Sequence, residues 1–338
     1  NIRFISKAIS NIENESALKD DILLNLKKKY KSYRIGITGP PGSGKSTIVN
    51  HLIKKFRSDN KKVAVLLVDP SSPFTLGSVL GDRIRVNQFH DDSNVFIRSI
   101  PSKDSTGGLS KNIAQISDIL ESADFDVILY ETVGVGQVEI DVVEQVDSVV
   151  LTLVPESGDD IQIMKAGIVE IADIYVINKS DRSDANKLYS SIKNVLELDT
   201  SDKVNWMPKI IKTIATQDKG ISKLVNELTN HYSFIHSQTH IIDSKLNQRY
   251  VSKVKQILVN KVNDDLWSIS NKKMLDKENI RQWLIKKGFS ESRHEKKFSL
   301  FVRVMIPGKM FMHSKDINVH LRSGNVKQVF PIVNLSPM

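Results

Sequence analysis

The chain has 338 residues, of which 40% are apolar, carries a net charge of +9 and contains no cysteine. Such a length and apolar content suit one α/β domain with appendages and exclude wholesale disorder, while the lack of cysteine excludes disulfides, thiolate metal sites and cysteine nucleophiles and fits a cytoplasmic setting. No run of eighteen apolar residues and no long apolar amino-terminal stretch marks a membrane span or a secretory signal, and no basic run is interleaved with aromatics, so neither a membrane nor a nucleic acid is expected as partner.

Residues 1–32 are expected to form an amphipathic helical segment, with Ile5, Ile9 and Ile12 and then Leu18, Ile22 and Leu26 at helical spacing. From residue 33 short apolar runs alternate with helical patterns. Strands are expected at Tyr33–Thr38, Val63–Val68, Val95–Ile100, Val127–Tyr130, Ser148–Val154, Ile174–Ile177 and Lys209–Ile214. Helices are expected at Ser46–Arg57, Leu109–Ser122 and Ile161–Ile171. Continuous apolar strands separated by helices predict an α/β fold, a mostly parallel sheet covered on both faces. The rhythm changes near residue 236. A long helix is expected at Gln248–Trp267, another at 276–287, and β-like segments at 298–306 and 317–333.

The strongest signal is Gly39-Pro40-Pro41-Gly42-Ser43-Gly44-Lys45-Ser46, followed by Thr47. It satisfies G-x-x-x-x-G-K-S/T, the P-loop, and it sits between the strand YRIGIT and an amphipathic helix, as the chemistry requires. Glycines let successive backbone N–H groups turn inward around phosphate oxygens, and the helix aims its positive end at the same anion. Lys45 is expected to reach the β- and γ-phosphates, and the Ser46 hydroxyl to bind Mg²⁺.

Asn178-Lys179-Ser180-Asp181 closes the strand IYVIN in the pattern N-K-x-D. A carboxylate at Asp181 accepts from guanine N1–H and N2–H₂, and adenine offers no matching donors. Asn178 is expected to hold the loop and touch N7, and the Lys179 stem to cover the base. The strand end Thr213-Ile214-Ala215-Thr216 is a candidate source of a backbone N–H for guanine O6, at Ala215.

Asp69 and Glu131 end apolar strands, and Asp82 lies in the loop Leu80-Gly81-Asp82-Arg83. Carboxylates at strand carboxyl ends project toward the crevice where α/β sheets bind ligands, and Mg²⁺ takes such oxygens directly or through water. Gly134, three residues past Glu131, is placed to offer its N–H to a γ-phosphate. Gln137 is a candidate to position water, with a loop or interface contact as the alternative.

With these segments assembled, the chain resembles the MeaB/ArgK-type GTPases, over roughly residues 3–268. The resemblance rests on GPPGSGKST at 39–47, VDPSSPFTLGSVLGDRIRV at 68–86, GGLS at 107–110, ETVGVGQVE at 131–139, PESGDDIQIMKAGIVEIADI at 155–174 and NKSD at 178–181. It implies a SIMIBI-class P-loop G domain over 33–236 and a carboxyl-terminal helical arm over 237–268 that forms a homodimer. Ser46, Asp69, Asp82 and Glu131 would surround Mg²⁺. Residues 70–86, 132–147 and 154–165 would be switches, with Asp159 and Lys165 sensing the partner. The implied role is a chaperone whose GTP binding and slow, partner-stimulated hydrolysis gate adenosylcobalamin loading and protection of an acyl-CoA mutase of the methylmalonyl-CoA type.

Two stretches depart from that family. Ile100-Pro101-Ser102-Lys103-Asp104-Ser105-Thr106 stands where the family usually carries an Arg-Gly pair, and residues 269–338 match nothing in it. The alternatives are a metallochaperone GTPase of the same class or a P-loop kinase. The former draws on His236-x3-His240, which has ligand spacing on a helix; a surface or capping pair is the blander reading.

Overall fold

The computed structural model describes residues 2–27, 31–70, 89, 91–102, 112–132, 142–155, 172–198, 206–268, 289–291, 298–306 and 309–317. The chain divides into two compact units, Asn1–Tyr250 and Val251–Met338. Among the described residues no helix is long and apolar enough to cross a membrane.

The first unit is built on a seven-stranded sheet. Its strands are β1 (Tyr33–Thr38), β2 (Val63–Pro70), β3 (Val95–Ser102), β4 (Val127–Thr132), β5 (Ser148–Leu153), β6 (Ile174–Ile177) and β7 (Lys209–Lys212). They lie in the order β3-β2-β4-β1-β5-β6-β7, and every pairing is parallel. Strands β1, β4, β5 and β6 are buried along their whole length, as expected for strands covered on both faces. β7 closes one edge with exposed Lys209 and Lys212, charges that discourage a further strand from adding there.

Helices α3 (Lys45–Ser58) and α6 (Ile221–Ser237) cover one face. Ile48, Leu52 and Ile53 of α3 and Ile221, Leu224 and Leu228 of α6 share a core with Ile35, Ile37 and Val65 of the sheet. The opposite face is covered by α4 (Ile113–Ser122), and α1 (Ile2–Glu13) packs in turn on α4. There Ile9 and Ile12 join Ile116, Leu120, Ile128 and Tyr130. The short α2 (Lys19–Leu24) follows α1, and α5 (Ala185–Leu198) covers β5 and β6 through Leu188 and Ile192.

The amino-terminal end of the sheet is tied by buried polar groups. Arg34 donates to Glu121 at 3.0 Å. Asp147 accepts from the Arg34 N–H at 2.9 Å and pairs with Arg249 of α7 (Thr239–Ser268), while Lys245 donates to its carbonyl at 2.6 Å. Beside it, the Ser148 hydroxyl lies 2.5 Å from the Tyr33 hydroxyl and 2.6 Å from His231 Nδ1. His231 Nε2 faces Asp173 at 3.4 Å. Burial pushes the His231 imidazole below its ordinary range, with Asp173 opposing the shift.

The second unit contains an antiparallel sheet, β8 (Phe289–Glu291), β9 (Phe298–Ile306) and β10 (Lys309–Ile317), in the order β10-β9-β8. β9 and β10 form a hairpin that begins at the pair Ile306 and Lys309.

Several elements differ from the sequence reading. Helices α5 and α6 have no counterpart among the expected elements, α7 starts at Thr239 instead of Gln248, and β10 precedes the expected 317–333 segment. β7 ends at Lys212, because Ile214 turns out of the sheet to pair with Lys219 in a short antiparallel bridge. The expected helices at 161–171 and 276–287 and residues 318–333 lie outside the described residues.

Candidate functional site

In the strand order, β1 stands between β4 and β5, so the chain departs to either side of it. In parallel α/β sheets the crevice at such a point, beyond the carboxyl ends of the strands, is where ligands bind. Residues 39–47 lie there, leaving β1 and opening α3.

The loop conformation needs glycine at two positions in particular. Gly39 has φ +138°, and a Cβ on it would lie 2.0 Å from the Thr152 carbonyl oxygen of β5. Gly44 has φ +92°, and a Cβ there would lie 2.2 Å from Asn178 Nδ2. Each is a close approach of backbone to a neighbour that any side chain would block. Lys45 opens α3, is buried, and donates from Nζ to the carbonyls of Gly39 at 2.7 Å and Pro40 at 2.8 Å. Its ammonium is thereby held across the loop instead of reaching outward. Pro41 and Gly42 are exposed at the loop tip, and Thr47 is half-buried on the first turn of the helix. Ser43 is fully buried, and its Oγ has no hydrogen-bond partner among the described residues.

Ser46 and Glu131 meet directly. The Ser46 hydroxyl donates to Glu131 Oε1 at 2.5 Å. Glu131 is buried near the end of β4, in register with Ile37 of β1 and Leu67 of β2. Asp69 is placed by its backbone near the end of β2, opposite Pro101 of β3; its side chain lies outside the described residues. Asp82, Gly134, Gln137, Asp159 and Lys165 lie outside them as well. The oxygen pair of Ser46 and Glu131 is the kind of hard donor set that Mg²⁺ takes, and the close-approach glycines and the buried, unpartnered Ser43 hydroxyl shape a loop of the kind that receives phosphate oxygens. The described residues therefore fit a Mg²⁺–nucleotide ligand.

Asn178 links the loop to a third segment. Its Nδ2 donates to the Ser43 carbonyl at 2.8 Å. Its Oδ1 accepts from the Thr213 hydroxyl and from the Ala215 N–H, both at 3.0 Å. Its backbone N–H donates to the Leu153 carbonyl at 2.8 Å. Lys179 adopts φ +55°, the Ser180 N–H donates to the Thr213 carbonyl at 3.1 Å, and Asp181 stands exposed beyond it. The Ala215 amide, which the sequence reading directs at guanine O6, is here bonded to Asn178. Thr213, buried behind Asn178, and Thr152, whose carbonyl backs Gly39, take part in the site although no motif marks them.

His236 and His240 do not share a helix. α6 ends at Ser237, Gln238 is extended, and His236 Nδ1 engages the Tyr232 carbonyl at 2.9 Å. Among the described residues no group of three or more histidine or acidic side chains is arranged to hold a metal ion.

Comparison with known proteins agrees with this geometry. Residues 5–271 match the family model described as methylmalonyl Co-A mutase-associated GTPase MeaB. A putative GTPase of Pyrococcus horikoshii is 42% identical over 262 residues, 76% of this chain and 81% of that protein. The mitochondrial methylmalonic aciduria type A homolog of Mus musculus is 37% identical over 211 residues, 62% of this chain and 51% of that protein. The crystal structure of a LAO/AO transport system kinase shares the fold, with a TM-score of 0.61 at 22% identity, covering 83% of this chain and 97% of that one. The chain belongs to the MeaB family and is a P-loop GTPase.

Proposed function

We propose that the chain is a GTP- and Mg²⁺-dependent chaperone that gates adenosylcobalamin loading into, and protection of, an acyl-CoA mutase of the methylmalonyl-CoA type. The observation that carries the nucleotide part is the meeting of three segments at one end of the sheet: the loop at 39–47, Glu131 against Ser46, and Asn178 against Ser43. The mutase part is supported by the description of the family model that matches residues 5–271.

In this reading Ser46, Asp69, Asp82 and Glu131 hold Mg²⁺, which supplies charge neutralisation at the phosphates when bound. Lys45 leaves the Gly39 and Pro40 carbonyls for the β- and γ-phosphates, and Ser43 turns its hydroxyl to the same anion. Asp181 selects guanine, with Lys179 over the base and Asn178 and Ala215 on its far edge. Gly134 senses the γ-phosphate, and Gln137 either positions water or makes a loop or interface contact. Hydrolysis is slow in the free protein and faster on the mutase, which reads the switches at 70–86, 132–147 and 154–165 through Asp159 and Lys165. The helical arm at 237–268 joins two copies of a cytoplasmic protein.

Co-precipitation with an adenosylcobalamin-dependent mutase, with GDP or a non-hydrolysable GTP analogue, tests the partner. Nucleotide-dependent association and mutase-stimulated hydrolysis are expected. Equal association in every nucleotide state would refute the gating role.

A further inference from the structure

The segment after β7 is held to the P-loop by two separate bridges. The first is Asn178, between the Ser43 carbonyl and the Ala215 amide. The second lies further from the phosphate loop: His51 Nδ1 on α3 sits 3.1 Å from Asp218 Oδ1. His51 is six residues beyond Lys45 on α3, and Asp218 directly follows the short 3₁₀ turn Ala215–Gln217. The two bridges straddle that turn.

The turn needs a second hold. Its inner side is anchored by Ala215, which belongs to the same buried core as Ile48 of α3. Thr216, Gln217 and Asp218 are exposed, and the pairing of Ile214 with Lys219 closes the segment only at its base. Asp218 also adopts φ +55°, a left-handed conformation that costs free energy in a residue other than glycine. Its carboxylate is the atom group that reaches α3. His51 is the more covered partner, at 20% exposure against 53% for Asp218. Either the neutral ring with its proton on Nδ1 or the imidazolium can donate to that carboxylate.

We infer that His51 is a positioning residue for nucleotide recognition: through Asp218 it fixes the Ala215–Gln217 turn, and hence the base-facing backbone, at a set distance from the phosphate loop on the same helix. The inference rests on the reading of residues 178–181 and 215 as the base site. A bridge of this exposure supports a modest effect, and the effect falls on the base end of the ligand alone. Asn178 continues to hold the turn when His51 is removed, so the site weakens without being lost.

The test uses the full chain and competition against a fluorescent GDP analogue with Mg²⁺ present. His51→Ala and Asp218→Ala are each expected to weaken GDP about three- to fivefold and to leave displacement by inorganic tripolyphosphate unchanged. The double variant is expected to lose no more than either single one, and His51→Gln, which keeps a donor for Asp218, to recover most of the loss. In steady state His51→Ala raises KM for GTP and leaves kcat unchanged. Parallel loss of GDP and tripolyphosphate affinity would overturn the inference, as would additive losses in the double variant or no change in GDP affinity. Failure of the unsubstituted protein to bind GDP would instead strike the base-site reading itself.

Discussion

Asn178 Nδ2 donates to the carbonyl of Ser43 at 2.8 Å across 135 positions of sequence. One carboxamide thus joins the phosphate loop to the Thr213–Ala215 segment, which it holds from its other atom. The arrangement ties the phosphate loop to the Thr213–Ala215 segment before any ligand arrives, so that this one link need not be made on binding.

Removing that carboxamide is therefore costly. Asn178→Ala leaves the Ser43 carbonyl, the Thr213 hydroxyl and the Ala215 N–H without their partner in a buried setting. Unpaired buried polar groups cost about 1–3 kcal/mol each, with partial relief from relaxation and water. A loss of roughly 2–4 kcal/mol in unfolding free energy is expected from denaturant titration, together with a large loss of nucleotide affinity. Gly44→Ala is expected to resemble it, since the new Cβ would occupy the space of Asn178 Nδ2.

Lys45→Ala is expected to nearly abolish nucleotide affinity, because the phosphate loop loses its only side-chain cation. In the free protein Lys45 Nζ already satisfies the Gly39 and Pro40 carbonyls, so thermal stability should fall too. Calorimetric titration with GDP and a melting curve on the same sample separate the two effects.

Asp181→Asn changes which base is preferred. The carboxylate proposed to accept two hydrogen bonds from guanine becomes an amide that offers a donor in place of one acceptor. GTP affinity is expected to fall by 10²-fold or more, on the order of what leaving buried polar groups mispaired removes, and xanthosine triphosphate to gain. Equal binding of both nucleotides to the variant and to the unsubstituted protein would show that Asp181 does not select the base.

His231 links stability to pH. Burial lowers its pKa from the ordinary 6.5 of histidine, with Asp173 opposing the shift and Lys245 adding to it. The unfolded chain therefore binds more protons than the folded one in the window just below pH 6.5, and stability falls as pH drops through it. Melting temperatures between pH 8 and pH 5 are expected to decline more steeply for the unsubstituted protein than for His231→Gln. Matching slopes would place the proton uptake elsewhere.

The parts of the site that the sequence revealed are the local ones. The phosphate loop and Asn178–Asp181 are contiguous runs whose spacing carries their chemistry, and Glu131 is visible as an acid closing an apolar strand. The partnership of Asn178 with Ser43 was not legible, because one end of the bond is a backbone carbonyl with no side-chain signature. His51 with Asp218 was hidden for a related reason, as two polar surface residues far apart in the chain. In the fold, α6 escaped notice because its buried stripe of Ile221, Leu224, Leu228, His231 and Ile235 places a histidine where an apolar residue is looked for. The expected β7 exceeds the observed strand because Ile214 continues the apolar run while its backbone already turns toward Lys219.

The most direct measurement is equilibrium binding of GDP, GTP and ATP to the purified full chain, with Mg²⁺ and again with chelator. The account predicts guanine nucleotides bound at least about a hundredfold more tightly than ATP, with GTP weakened by chelation. Equal binding of ATP and GTP, or no affinity for guanine nucleotides with Mg²⁺ present, would contradict it.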